Sequence, residues 1–294
     1  MNFRRTSPEG ESSSAPAPKP SALGVARSRA LHQLLDTPLV FEDPLAIKIL
    51  GANEEEFLLS DREKFDTPLF KGVRASAVVR SRLAEDEWIR AWQRGVCQYV
   101  ILGAGLDTFA YRTPNREGFR VFEVDLPATL RWKRERLREA GLEEPSMVIY
   151  APCDFERCTL TEALEEAGFC KDQPAFFSWL GVAMYLGEEA IRSTLRFVAS
   201  LKPGSGIVFD FAVSPTQLSP RERLALEVLT ARTTEDGEPW KAYFDLKALQ
   251  ELLHSLGFAE VELYASQRLN ELYFSGRTDG LRKSGLSALI SARV

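Results

Sequence analysis

The spacing of hydrophobic and polar residues changes once along this chain, near residue 93. Before it, apolar positions recur at helical spacing. Across 71–92 (KGVRASAVVRSRLAEDEWIRAW) Val78, Val79, Leu83, Ile89 and Trp92 fall roughly on one face, and no strand is predicted between 21 and 92. After a break at Gln93-Arg94-Gly95, short apolar runs alternate with helical stretches, the pattern of βαβ units around a parallel sheet. Strands are predicted near 97–102, 120–124, 147–150, 175–180, 206–213, 259–264 and 286–294, with helices near 127–140, 160–167, 188–201 and 245–256. Seven strands, the last two crowded toward the C-terminus, fit an α/β, Rossmann-like, mostly parallel sheet whose final strand returns antiparallel. The expected organisation is a disordered Ser/Pro-rich tail over 1–20, a helical N-terminal cap over 21–92 and an α/β core over 93–294.

Composition narrows the function classes. With 45% hydrophobic and 27% charged residues the chain reads as an ordinary soluble protein. A net charge of -5 leaves no basic footprint for nucleic acid, and no Lys/Arg block suits an anionic membrane. The apolar stretch 173–187 is too short for the roughly 18–20 residues that span a bilayer, so it is read as a buried strand and its continuation. Cys97, Cys153, Cys158 and Cys170 form no CxxC pair, and only His32 and His254 could join them. No metal site is expected, and reduced thiols in a cytoplasmic protein are. The first twenty residues lack the apolar core of a signal peptide.

The most informative segment is Val100-Ile101-Leu102-Gly103-Ala104-Gly105-Leu106-Asp107, an apolar strand running straight into Gly-x-Gly. Glycines there let the backbone turn tightly and approach a ligand without Cβ clashes. The next strand ends in Asp125, twenty residues past Gly105, where an acid can accept hydrogen bonds from both hydroxyls of an adenosine ribose. Asp125 also precedes a helix beginning near Pro127, so a capping role stands beside the ligand role. A dinucleotide fingerprint wants a third glycine where Thr108 stands. Asp107 would repel a pyrophosphate but suit a cationic amino group or a sulfonium, which argues for S-adenosylmethionine over NAD.

These residues resemble a known family. ILGAGLDTFAYR (101–112) followed by FEVDLP (122–127) is similar to the leucine carboxyl methyltransferase and tetracenomycin-type O-methyltransferase family of class I enzymes. VRSRLAEDEW (79–88), Asp154-Phe155, AMYLGEEA (183–190) and GEPWKAYF (237–244) match its further segments in order, and 21–46 resembles its N-terminal cap. The resemblance implies that Gly103, Ala104 and Gly105 line the methionine portion of the cofactor. It sets Asp125 and Leu126 at the ribose, and Asp154 and Phe155 around the adenine. Arg80 or Arg82 would hold the cofactor carboxylate, a task that suits a guanidinium; Arg29 is a weaker candidate of the same kind. Asp107 belongs to this cofactor set or pairs with Arg112 beneath the turn. Tyr185 and Trp240 are the acceptor-pocket candidates.

One position departs from the family, which usually ends the fourth strand with a glutamate that could contact the cofactor's amino group. Here Leu180 stands at that cofactor-site position. Asp107, Ser178 or backbone carbonyls are the candidate substitutes. The expected activity is S-adenosylmethionine-dependent O-methylation of a carboxylate or hydroxyl, on a small molecule rather than a protein. A non-catalytic module that binds S-adenosylmethionine or S-adenosylhomocysteine is the alternative. An anionic acceptor needs no general base, whereas a hydroxyl does. Of the two histidines, His32 lies in the cap that this family folds over its active site, and His254 in an amphipathic helix pattern.

Overall fold

A computed structural model describes residues 19–51 and 53–294. The tail expected over 1–20 lies almost wholly outside the described residues. The helices are α1 (Pro20–Leu35), α2 (Glu54–Ser60), α3 (Arg62–Phe65), α4 (Pro68–Gln93), α5 (Phe109–Arg112), α6 (Pro127–Glu139), α7 (Leu160–Glu166), α8 (Glu188–Ala199), α9 (Pro220–Glu235), α10 (Leu246–Leu256) and α11 (Ser266–Tyr273). The strands are β1 (Gln98–Leu102), β2 (Arg120–Asp125), β3 (Val148–Pro152), β4 (Ala175–Trp179), β5 (Gly206–Ala212), β6 (Glu260–Tyr264) and β7 (Ser287–Arg293).

The seven strands form one sheet in the order β3-β2-β1-β4-β5-β7-β6. Pairing is parallel from β3 through β5, and β7 runs antiparallel to both neighbours. Strand order reverses between β1 and β4. In open α/β sheets the crevice outside the carboxyl ends at such a switch point is where ligands sit.

Alternation along the strands divides the core. One face carries Val100, Leu102, Phe122, Phe177 and Phe209 against α7, α8 and α10. The other packs Tyr99, Ile101, Val121, Phe176 and Val208 against α4 and α11. Within α4, Val78, Val79 and Leu83 are buried as the helical pattern predicts, but Ile89 is 51% exposed. Trp88 takes its place, stacked on Tyr99 and Phe119 with ring centroids 4.8 and 5.0 Å away. A one-residue phase error at the helix's end put the wrong neighbour on the face. α4 is therefore a layer of the α/β sandwich, while α1 to α3 make a separate cluster with Leu106 and Leu137.

Three described helices escaped the sequence pattern, the four-residue α5 among them. α9 buries only Leu226, so it shows no apolar stripe. Its start is nonetheless marked by a capping box, Ser219 with Glu222. α11 is short and follows β6 after one residue. No described helix is long and apolar enough to cross a membrane.

Candidate active site

The glycine turn sits at the carboxyl end of β1. Gly103 and Gly105 both hold positive φ, 69° and 46°, a region that carries little strain only for glycine. The Gly103 and Ala104 amides reach sideways to the Val124 carbonyl at 2.8 and 3.0 Å, tying the turn to β2. A Cβ on Gly103 would meet Val182 Cγ2 at 2.2 Å, and one on Gly105 would meet the Ala22 methyl at 3.7 Å. The turn is thus sandwiched between the segment after β4 and the start of α1.

Asp125 ends β2 directly beside this turn. Its Oδ2 accepts the Gly105 amide at 2.7 Å and its Oδ1 the Leu126 amide at 2.6 Å. Burial pushes its carboxyl above the ordinary range, and the bonds from Gly105 and Leu126 only partly oppose that. The carboxylate therefore braces the turn, but the capping reading fails: α6 takes Leu126 as its N-cap residue with no side-chain cap hydrogen bond, because Asp125 stands one residue too early to reach the N2 and N3 amides. Gly105, Leu126 and the Thr129 side chain take three of its roughly four acceptor positions, which leaves one for a further hydrogen bond.

Asp107 and Arg112 do not pair with each other. Asp107 Oδ1 accepts the Phe109 amide at 2.7 Å, starting α5, and its Oδ2 lies 3.7 Å from Arg29 Nη1. Arg112 instead bonds Glu85 at 2.5 Å, with Asp43 at 3.4 Å. Arg29 is 3% exposed and also donates to the Leu106 carbonyl, so it docks α1 onto the glycine turn.

The two α4 arginines part company. Arg80 reaches Asp210 at 2.9 Å on the face that meets the sheet. Arg82 points elsewhere: it pairs with Asp86 one helical turn away and stacks near Tyr273. Two residues apart on a helix means about 200° of rotation, so only one could face the sheet edge. Leu180 is half-buried and packs with the α4-side cluster. Asp154 lies at the rim beyond β3, its Oδ1 accepting the Glu156 amide at 3.1 Å, while Phe155 packs against the sheet.

Three segments roof the crevice. Ser21, in the first turn of α1, gives its amide and hydroxyl to the Glu238 carboxylate, each at 2.8 Å. The Lys241 amide donates to Met184 O at 2.7 Å, and its ammonium reaches Glu156 at 2.7 Å. Tyr185 and Trp240 meet edge to face beneath this roof with centroids 6.5 Å apart. Burial raises the Tyr185 phenol, and Trp240, Glu238, Arg80 and Asp210 also act on its ionisation.

Neither histidine faces this crevice. His32 is fully buried, with Nδ1 on Asp36 at 2.7 Å and Nε2 accepting the Val40 amide at 2.9 Å. Arg74 grips the same Asp36 at 2.7 and 2.9 Å, so the imidazole belongs to a structural knot joining α1 to α4. That knot removes His32 from the candidate bases. His254 bonds the Phe258 carbonyl at 3.1 Å near the end of α10.

Charged residues at the candidate site that sequence reasoning missed are Asp210 and Glu238. Asp210 lies inside the apolar strand GIVFDFA, where a charged residue that interrupts the run is itself a signal. Glu238 stands just before Trp240 in the segment matched to the family, but its partner Ser21 is 217 residues away.

The geometry fits an adenosyl cofactor: a Gly-x-Gly turn, an acid with an acceptor position to spare at the end of β2 and a guanidinium at the end of β4. Comparison with known proteins agrees. A family model described as leucine carboxyl methyltransferase matches residues 22–199. YktD of Bacillus subtilis, named as a candidate S-adenosyl-L-methionine-dependent methyltransferase, is 33% identical over 87% of this chain and 91% of its own. A similarly named protein of Mycobacteroides abscessus is 33% identical over 74% of this chain and 72% of its own. Among solved structures, a candidate methyltransferase from Thermobifida fusca shares the fold with TM-score 0.55 at 19% identity, covering 94% of each chain. Sheet order, glycine turn and sequence similarity converge: the chain belongs to the leucine carboxyl methyltransferase family and is an S-adenosylmethionine-dependent methyltransferase.

Proposed function

We propose that this enzyme methylates an oxygen that arrives already anionic, a carboxylate first and an acidic hydroxyl second, on a small-molecule acceptor. The observation that carries this reading is the placement of both histidines in structural contacts away from the crevice. With no imidazole at hand, an acceptor that needs no deprotonation fits best. Tyr185, a neutral phenol that burial pushes further above its ordinary value, is suited to donate a hydrogen bond to the acceptor oxygen rather than to remove a proton.

When bound, S-adenosylmethionine supplies an electrophilic methyl group on a sulfonium. The chain's own contribution is alignment and exclusion of water. Asp125 would hold the adenosine ribose, the Gly103–Gly105 turn would line the methionine portion and Arg80 would take its carboxylate, while Tyr185 and Trp240 would flank the acceptor. Orientation of this kind can supply roughly 7–11 kcal/mol of a barrier. The roof tied down by Ser21–Glu238 and Lys241–Glu156 favours a small acceptor over a folded partner.

The test uses S-adenosylmethionine with a labelled methyl and a panel of small carboxylic acids, phenols and alcohols. A carboxylate product is an ester and releases labelled methanol in mild alkali, whereas an ether does not. Turnover confined to alcohols, with alkali-stable product and a rate that falls below a pKa near neutrality, would contradict the proposal.

A further inference from the structure

The acid that the family places at position 180 is absent, yet an acid stands next to that position. Parallel pairing sets Trp179 level with Phe209. One residue further along each strand, Leu180 and Asp210 are neighbours on the α4 side of the sheet. Asp210 is 2% exposed, a place where a carboxylate persists only with partners. One oxygen accepts from Arg80 Nη1 at 2.9 Å and the other from the Gly181 amide.

Arg80 lies close against Gly181. A Cβ on that glycine would sit 2.5 Å from Nη2 and 2.9 Å from Cζ, and the glycine holds φ at 72°. Only glycine satisfies both demands. From the segment before β7, the Lys283 ammonium bonds the Ser287 carbonyl at 2.7 Å and its hydroxyl at 2.8 Å, and its charge is felt by Asp210 and Arg80.

We propose that Asp210 is the positioning acid for the amino-acid end of S-adenosylmethionine, taking over from its neighbouring strand the charge missing at Leu180. It fixes Arg80 against Gly181, leaving the remaining guanidinium N–H groups to take the methionine carboxylate. A carboxylate has about four acceptor sites, and Asp210 spends two on protein groups, so it can also receive the cofactor's ammonium. The Arg80–Asp210 pair thereby matches a zwitterion with a zwitterion. This rests on the cofactor assignment made above.

A merely structural Asp210 would affect every nucleoside ligand alike, so the test compares ligands with and without the amino-acid end. Wild type and Asp210→Asn are titrated calorimetrically with S-adenosylhomocysteine and with 5′-methylthioadenosine, which lacks that end. The expected result is a loss of about tenfold or more for S-adenosylhomocysteine, with 5′-methylthioadenosine unchanged within about twofold. Adding Leu180→Glu to Asp210→Asn should recover part of the loss. Equal weakening of both ligands, or of neither, overturns the proposal. Should Asp210→Asn fail to fold, Arg80→Gln must show the same selectivity, and unchanged affinity there overturns it too. A wild type that binds neither ligand removes the cofactor assignment and this inference with it, an outcome distinct from selective failure of the variant.

Discussion

The two sides of the crevice are built in opposite ways. On the β1–β2 side, Gly103, Gly105 and Asp125 come from 23 consecutive residues, and Asp125 closes its bonds onto Gly105 across only 20 positions. On the β4–β5 side, Arg80, Gly181 and Asp210 come from three distant segments, and the ion pair at their centre spans 130 positions. Short-range geometry written into a strand-turn-helix unit can be read from spacing alone. Long-range geometry depends on which faces two packed elements turn toward one another.

Disrupting the local side should have the largest effect. Asp125→Ala removes an acceptor for the ribose and the brace under Gly105. Cofactor affinity should fall several-hundred-fold, on the order of 3–4 kcal/mol for two charge-assisted bonds. Calorimetric titration reads the loss, and circular dichroism checks that the variant stays folded. Unchanged affinity in a folded variant would remove the ribose role. Because burial raises the Asp125 carboxyl, wild-type binding should also weaken on acidification at a higher pH than an ordinary carboxylate would give. Asp125→Asn should lose that dependence.

That contrast explains what was legible. The seven strands, their spacing and the glycine turn followed from local pattern. Asp210 did not, because a polar residue between Phe209 and Phe211 carries no sign of the helix that will meet it. Arg80 and Arg82 could not be separated until the buried face of α4 was known, and Ile89 was mistaken for Trp88 for the same reason. Leu180 was visible as a departure, but the compensating acid lies on another strand.

The long-range side carries the next effect. Burial lowers the Lys283 ammonium from 10.5 to about 8. Between those pH values the unfolded chain holds a proton that the folded chain lacks, so this group's contribution to stability rises with pH through that window. Below about pH 8 both states are charged and the full penalty stands. Lys283→Met should erase the slope, shifting the stability difference between variant and wild type by on the order of 3 kcal/mol across the window. Urea melts at several pH values test this, and parallel curves would contradict it.

Gly181→Ala sharpens the comparison at smaller cost. A side chain at positive φ costs about 1–2 kcal/mol, and displacing Arg80 should weaken S-adenosylmethionine binding roughly tenfold. Stability without loss of binding would separate Arg80 from the cofactor. The smallest effect belongs to the roof: Glu238→Gln weakens the bonds from Ser21 and should change cofactor affinity by no more than about fivefold, a loss of about 1 kcal/mol at most. Stopped-flow binding would show it as faster release, whereas an unchanged release rate would free α1 from any gating role.

The most direct measurement is a calorimetric titration of the purified wild-type protein with S-adenosylmethionine, S-adenosylhomocysteine and NAD. Binding of the two adenosyl ligands at micromolar concentration, with no heat from NAD, is the expected result. Silence toward both adenosyl ligands, or saturable binding of NAD instead, would contradict the assignment of this crevice.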